Sequence, residues 1–282
     1  VSAVYDAAPR QSFIVALKDL PQVWEIPYAA NAPLNYKGFV HDWKMAEGLA
    51  VKGQFSTKVI ELDAILDDFF FDQSYTHILG ASREGKGQVV NLNVRRKIAD
   101  LSLSGMPHLG SGITWDWQGH AVMASPNLKE GKVSVIEMKN WQTVAEIPTN
   151  GPGFFMRSHE ATPYAWVDAM MSPRRDTLQI IDKRTLKVVG SVTPSVGKTA
   201  AHVEFTRDGR YALVSLMENE GALVIYDAAR PLSIQRRMFE RVRGTPQEQY
   251  VANPYNEGGF HNYGMAVDLS ILGSDGVALD MG

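Results

Sequence analysis

Cysteine is absent from the 282-residue chain. That excludes disulfides, thiolate metal sites, a cysteine nucleophile and any Cys-x-x-Cys-His attachment of c-type haem. Also missing is any run near the ~18 consecutive apolar residues that a membrane-spanning helix needs, so no membrane span is expected. Blocks of Lys and Arg are missing too, and 28 Lys+Arg stand against 31 Asp+Glu for a formal net charge of -3. Nucleic acid is therefore not an expected partner, because phosphate binding needs a basic face. The chain starts at Val1 rather than Met, with no charged-then-apolar signal segment behind it, and stops abruptly at Asp280-Met281-Gly282. Those ends read as a processed or truncated chain.

What is present is ordinary for a globular protein. Hydrophobic residues make up 45% and charged residues 21%, enough for one large domain or two ordinary ones with real cores. A motif of turn, aromatic residue or His, then apolar strand recurs four times. Its copies are Asp72-Gln73-Ser74-Tyr75, Trp117-Gln118-Gly119-His120, Ala161-Thr162-Pro163-Tyr164 and Asp208-Gly209-Arg210-Tyr211. Their last residues are spaced 45, 44 and 47 positions apart. A further strand follows each copy, such as Val133-Ser134-Val135-Ile136 or Leu178-Gln179-Ile180-Ile181, and a third follows a short turn, as in Lys187 to Val192. Short strands of period two at this spacing match the ~40–50-residue blade of a β-propeller, and only four to five blades fit.

From Asp227 onward the pattern changes. Residues Arg230 to Glu240 are good helix formers, with Pro231 and Ser233 suited to a helix start. The stretch Thr245 to Gly259 reads as a loop, and Ser274-Asp275-Gly276 as a turn.

Three stretches carry a resemblance. They are Gly105-Met106-Pro107-His108-Leu109-Gly110-Ser111-Gly112, Phe154 to His159 running into Tyr164 to Asp168, and His202 to Gly209. Over roughly residues 1–225 the chain resembles the d1-haem domain of cytochrome cd1-type nitrite reductases and their paralogues. That resemblance implies an eight-bladed propeller with haem d1 in its central cavity, of which this chain corresponds to about the C-terminal half. It places His108 at one of the two distal histidines of that family, and Asp67 near the other, with a carboxylate replacing the imidazole. The family's proximal iron ligand and its c-type electron-entry domain have no counterpart here, which favours a haem d1 maturation paralogue over a nitrite reductase. A tetrapyrrole or small anion as ligand, a c-type cytochrome as electron donor and a periplasmic location are what the resemblance implies.

The residues support a similar reading on chemistry alone. His108 sits in a Gly-rich turn at the head of a blade, where a propeller docks ligands, and an imidazole there can exchange protons near neutral pH. Arg157 and His159, one blade later, are candidates to pair with the carboxylates of an anionic porphyrin.

A second resemblance covers roughly residues 222–282. Tyr226 to Arg236, the motif His261-Asn262-Tyr263-Gly264-Met265-Ala266-Val267-Asp268, and Leu279 to Gly282 are similar to the zinc D-alanyl-D-alanine dipeptidases. By that resemblance His261 and Asp268 are zinc ligands, and Arg230 stabilises a tetrahedral intermediate. The family's third ligand and general base would follow Gly282.

The fold class expected is mostly β, a partial β-propeller of four to five blades of an eight-bladed type over 1–225, followed by a short α+β tail over 226–282. The function expected first is a haem-d1-binding propeller protein with an oxidoreductase relationship, in a chain joined as a chimera of two incomplete domains. A truncated zinc dipeptidase and a cofactor-free scaffold are the alternatives. Pairing of two copies to close the propeller and cover its open strand edges is a further expectation.

Overall fold

Strands follow one another along the chain because the apolar residues alternate at period two and turn residues separate the runs. A computed structural model describes residues 1–37, 49–217, 222–227, 232–251 and 253–255. The first sheet contains β1 (Ala3–Ala7), β2 (Ser12–Ala16) and β3 (Gln22–Pro27). After an antiparallel pair, β4 (Asn35–Lys37) and β5 (Leu49–Val51), β6 (Lys58–Glu61) completes that sheet in the order β1-β2-β3-β6. The second sheet is β7 (Asp68–Phe71), β8 (His77–Ala81), β9 (Lys86–Asn91) and β10 (Arg96–Ser102), and the third is β11 (Ile113–Trp117), β12 (His120–Pro126), β13 (Lys132–Glu137) and β14 (Thr143–Pro148). The fourth holds β15 (Met156–Ser158), β16 (Tyr164–Asp168), β17 (Leu178–Asp182) and β18 (Lys187–Val192). The fifth holds β19 (Ala200–Phe205), β20 (Tyr211–Leu216) and β21 (Ala222–Asp227), three strands among the described residues. The helix expected from Arg230 onward is α1, Leu232–Val242.

The recurring motif leads into the second strand of a sheet each time, β8, β12, β16 and β20. The first sheet has the same strand as β2, but the segment before it is a 3₁₀ turn over Ala8–Arg10 with a left-handed Gln11, so the sequence motif is not visible there. The turn between third and fourth strands repeats as well, with left-handed Arg95, Trp141 and Leu186 at φ of 54°, 63° and 55°. Short polar side chains hold these turns. Asn91 Oδ1 accepts from the N–H groups of Asn93 and Val94 at 2.9 and 3.1 Å, and Asp182 Oδ1 from those of Arg184 and Thr185 at 2.7 and 3.1 Å.

The described residues form two compact units, one of Val1–Gly110 with Ile136–Val144, the other of Ser111–Val135 with the described residues from Ala145 on. In the first, Ile14, Val23 and Ile60 of the first sheet pack with Leu66, Phe69, Ile78 and Val90. In the second, β16 shows why its apolar run is continuous. Ala165 and Val167 point into a core with Trp115, Val122 and Val133, while Trp166 points into another with Ala200, Val203 and Val214. A sheet covered on both faces needs apolar residues at every position. Trp166 is fully buried, a gain of about 2–3 kcal/mol for a side chain of that size.

Candidate functional site

His108 lies in the segment that joins β10 to β11. Gly105 takes a left-handed turn at φ 65°, a conformation that costs other residues a steric penalty. The chain then buries Pro107 and Leu109 on either side of a half-buried His108. Two anchored neighbours thus fix the imidazole. Its Nε2 stands 3.3 Å from Oδ2 of Asp68, the first residue of β7, with the two side chains 18% and 15% exposed.

Asp68 is the hub of the site. Its Oδ1 accepts from the Tyr5 hydroxyl at 2.8 Å and from the Phe69 N–H at 2.9 Å, and its Oδ2 accepts from the Gly110 N–H at 2.8 Å. Gly110 has to be glycine here. A β-carbon on it would stand 2.2 Å from Asp68 Oδ2 and 2.6 Å from the Tyr5 hydroxyl oxygen. Tyr5 comes from β1 and packs edge-on against Phe69 at 5.0 Å between ring centroids. Burial, and then the hydrogen bond and charge of Asp68, push the Tyr5 phenol well above its ordinary value. It therefore remains a protonated donor to the carboxylate at physiological pH.

The segment before Asp68 is held from two sides. Leu66 is fully buried, and its carbonyl accepts from the Ser2 hydroxyl at 2.6 Å. The buried amide of Gln88 on β9 accepts from the Asp63 N–H at 3.2 Å and donates to the Ala64 carbonyl at 3.0 Å. A carboxylate so fixed orients the imidazole beside it, an arrangement used where an imidazole passes a proton. Because the His108 Nε2 faces Asp68, the donor set fits proton and hydrogen-bond chemistry toward a bound tetrapyrrole or its ligand, rather than iron ligation through that nitrogen. Among the described residues, no group of three His, Asp or Glu side chains could hold a metal ion.

The other residues singled out from sequence fall elsewhere. Asp67, next to the hub, turns to Arg83, whose Nε lies 2.8 Å from Asp67 Oδ1 with the arginine side chain 70% exposed. Arg157 on β15 is bonded at 3.1 Å to Glu204 of β19. His159 follows β15, and its Nδ1 accepts from the Ala161 N–H at 3.1 Å. The ring sits against Gly209, where a β-carbon would meet Nδ1 at 2.3 Å. Arg230, His261 and Asp268 lie outside the described residues, so the zinc arrangement does too. Sequence reasoning missed Asp68 and Tyr5. The available signal was Gly110, a glycine beside the candidate histidine that marks a close approach of backbone to another group.

Five successive antiparallel sheets, with cores between neighbouring sheets within each unit and a histidine turn at the head of the third, define a partial β-propeller. The chain belongs to the Cytochrome D1 heme domain family, which matches residues 1–242. It is 44% identical over 245 residues to the dihydro-heme d1 dehydrogenase of Pseudomonas aeruginosa, covering 86% of this chain and 45% of that protein. It is 28% identical over 115 residues to protein NirF of Stutzerimonas stutzeri, covering 41% of this chain and 28% of that one. A solved structure of the dihydro-heme d1 dehydrogenase NirN in complex with DHE matches with a TM-score of 0.70 and 46% identity, over 81% of this chain and 45% of the other. Kuenenia stuttgartiensis hydrazine synthase shares the fold alone, at a TM-score of 0.51 and 13% identity over 77% of this chain and 60% of that one. The chain spans less than half the length of the curated relatives it matches. None of these proteins supports the dipeptidase resemblance. Among the described residues, no helix is long and apolar enough to cross a membrane.

Proposed function

We propose that this chain is the haem-d1-binding portion of a dihydro-haem d1 dehydrogenase, an oxidoreductase of haem d1 maturation rather than of nitrite reduction. The observation that carries the reading is the His108–Asp68–Tyr5 network, in a chain 44% identical to such a dehydrogenase. The dihydro form of haem d1 would supply the saturated bond to be oxidised, and haem d1, with its conjugated ring absorbing at long wavelength, would be the product. Removal of two hydrogens releases two protons and two electrons. The His108 imidazole takes up one of the two protons and passes it to solvent, with Asp68 and Tyr5 keeping the ring oriented, and the second proton leaves directly to solvent. The two electrons go one at a time to two equivalents of a one-electron acceptor of the c-type cytochrome class. Asp67, Arg157 and His159 are further candidates for contact with the tetrapyrrole. Each already has a partner in the protein, so any such contact replaces one that exists. The location that fits this chemistry is the periplasm.

We keep the division into a propeller part over 1–225 and a tail over 226–282 as part of this proposal, together with self-association through the open sheet edges. Zinc at His261 and Asp268 is tested by elemental analysis of the purified chain. The main test is absorption spectroscopy of the purified chain on addition of haem d1, with His108→Ala and Asp68→Asn in parallel. A long-wavelength shift that weakens in His108→Ala is expected. An unshifted spectrum in the unaltered chain would remove the cofactor reading.

A further inference from the structure

The second unit holds a cavity of about 800 Å³ at the end where β11 turns into β12 and β15 into β16. None of the His108 network lines it. We infer that this cavity is a binding site for a small planar aromatic carboxylate, with Lys183 as the anion partner and Trp115 and Trp117 as the aromatic wall.

The two tryptophans are fixed before any ligand arrives. Trp115 Nε1 donates to the Lys183 carbonyl at 3.1 Å, and Trp117 Nε1 to the Arg184 carbonyl at 3.0 Å. Their polar atoms are satisfied, so what they offer a ligand is ring surface, which favours another flat ring. Ile113 and Pro163 extend the apolar lining. The same two bonds pin the β17–β18 turn that carries Lys183.

Lys183 is the unusual group. Its ammonium is half-buried and donates to the His159 carbonyl oxygen at 3.1 Å. Among the described residues, no carboxylate lies within ion-pair distance of it. Burial is what acts on it, and it lowers the amine below its ordinary value. A half-buried cation facing a cavity without a counter-charge is stabilised when an anion fills the cavity. The acids on the lining do not supply that charge. Asp116 Oδ1 accepts from the Gly119 N–H at 2.9 Å, and Glu160 is exposed to solvent, where screening weakens its repulsion of a ligand. Arg184 is 82% exposed and lies 3.7 Å from Asp182, so it is a rim charge. The volume suits a ligand of one or two fused rings with an orienting polar group.

The test is isothermal titration of the purified chain with 2-naphthoate and with the neutral 2-naphthamide at one ionic strength. The naphthoate is expected to bind about tenfold or more tightly than the amide, as a charge-assisted hydrogen bond implies. Lys183→Met should remove that difference, and Lys183→Arg should keep most of it. Equal binding of the two probes, or binding of neither, overturns the inference without any variant. So does an unchanged naphthoate affinity in Lys183→Met with an unaltered melting curve. The outcome is independent of haem d1 binding, since no haem is added.

Discussion

The carboxylate of Asp68 stands 3.3 Å from the His108 ring while it accepts the N–H of Gly110, two residues further along the same turn. One side chain thus fixes both the imidazole and the backbone that presents it. Removing His108 and removing its orienting partner therefore have different consequences. His108→Ala is expected to cut dehydrogenation of the dihydro-tetrapyrrole by about 10²-fold or more, the usual share of a general acid–base group. Asp68→Asn keeps the volume but loses the charge, so turnover falls while the spectral shift on haem d1 addition survives. Tyr5→Phe removes a single donor and should cost less than either. Turnover against pH, measured alongside the binding spectra, separates the two roles. Loss of binding and turnover in equal measure in Asp68→Asn would mean that Asp68 only holds the fold.

Glycines in this chain are needed for two separate reasons, and a pair of alanine variants distinguishes them. At Gly110 a β-carbon meets Asp68 and Tyr5, both tied into hydrogen bonds. Overpacking of that kind costs about 1–3 kcal/mol and displaces the neighbours. At Gly119 nothing lies within 4 Å, and the backbone has φ of 82°, so only the conformational penalty of about 1 kcal/mol applies. Gly110→Ala should lower the unfolding midpoint more than Gly119→Ala, and should also alter haem d1 binding. Equal losses of stability with unchanged haem binding would argue against the close approach.

The blade repeat was legible because each turn and strand is local, and the spacing of 45, 44 and 47 residues is a property of the chain alone. His108 was legible for the same reason, through its Gly-rich turn. Its partners were not. Tyr5 and Asp68 are 63 residues apart in sequence, and Asp68 and Gly110 are 42 apart, so no periodicity joins them. Asp67 and Asp68 illustrate the remaining gap. Successive side chains at a strand start point to opposite faces, so a shift of one residue exchanges their surroundings. Asp67 meets Arg83, and Asp68 meets His108. Arg157 read as a cation free for an anionic ligand, but β19 brings Glu204 beside it across 47 residues of sequence. The lysine of the second-unit cavity left no signal at all, because its surroundings come from three separate turns.

Acid should unfold the chain partly through Asp72. Burial alone would raise this carboxyl, but the N–H of His77, the Ser74 hydroxyl and the His77 ring outweigh burial and hold it below its ordinary 3.8. His77 Nδ1 lies 3.0 Å from Asp72 Oδ2, and its Nε2 is 3.0 Å from Asn91 Nδ2, so the amide sets the tautomer and the proton on Nδ1 points at Asp72. A lowered carboxyl contributes stability that is complete above 3.8 and is lost as pH falls through the lower folded value. Asp72→Asn should therefore be less stable than the unaltered chain near neutrality, by about 1–3 kcal/mol. The gap should narrow as pH drops below 3.8. Chemical denaturation at a series of pH values measures it. A gap that stays constant down to the lowest pH would refute the assignment.

Asp168 anchors the loop between the third and fourth sheets by another use of a carboxylate. It is 1% exposed at the end of β16. Its Oδ1 accepts from the N–H groups of Phe154 and Met170 at 2.8 and 3.1 Å, and its Oδ2 from the Phe155 N–H at 2.8 Å. Two oxygens thus satisfy three amides, two in the Pro-Gly-Phe-Phe loop and that of Met170 just past β16. In Asp168→Asn one oxygen becomes an NH₂ group, which has nothing to give a backbone N–H and faces it donor to donor. The expected cost is about 2–4 kcal/mol, larger than a lost neutral hydrogen bond because a donor is left unpaired in the interior. Amide exchange locates the effect. Phe154, Phe155 and Met170 should exchange faster in the variant, while the amides of Val89 and Val90 on β9 in the first unit keep their protection. If protection at these three amides is unchanged, Asp168 is not what holds them.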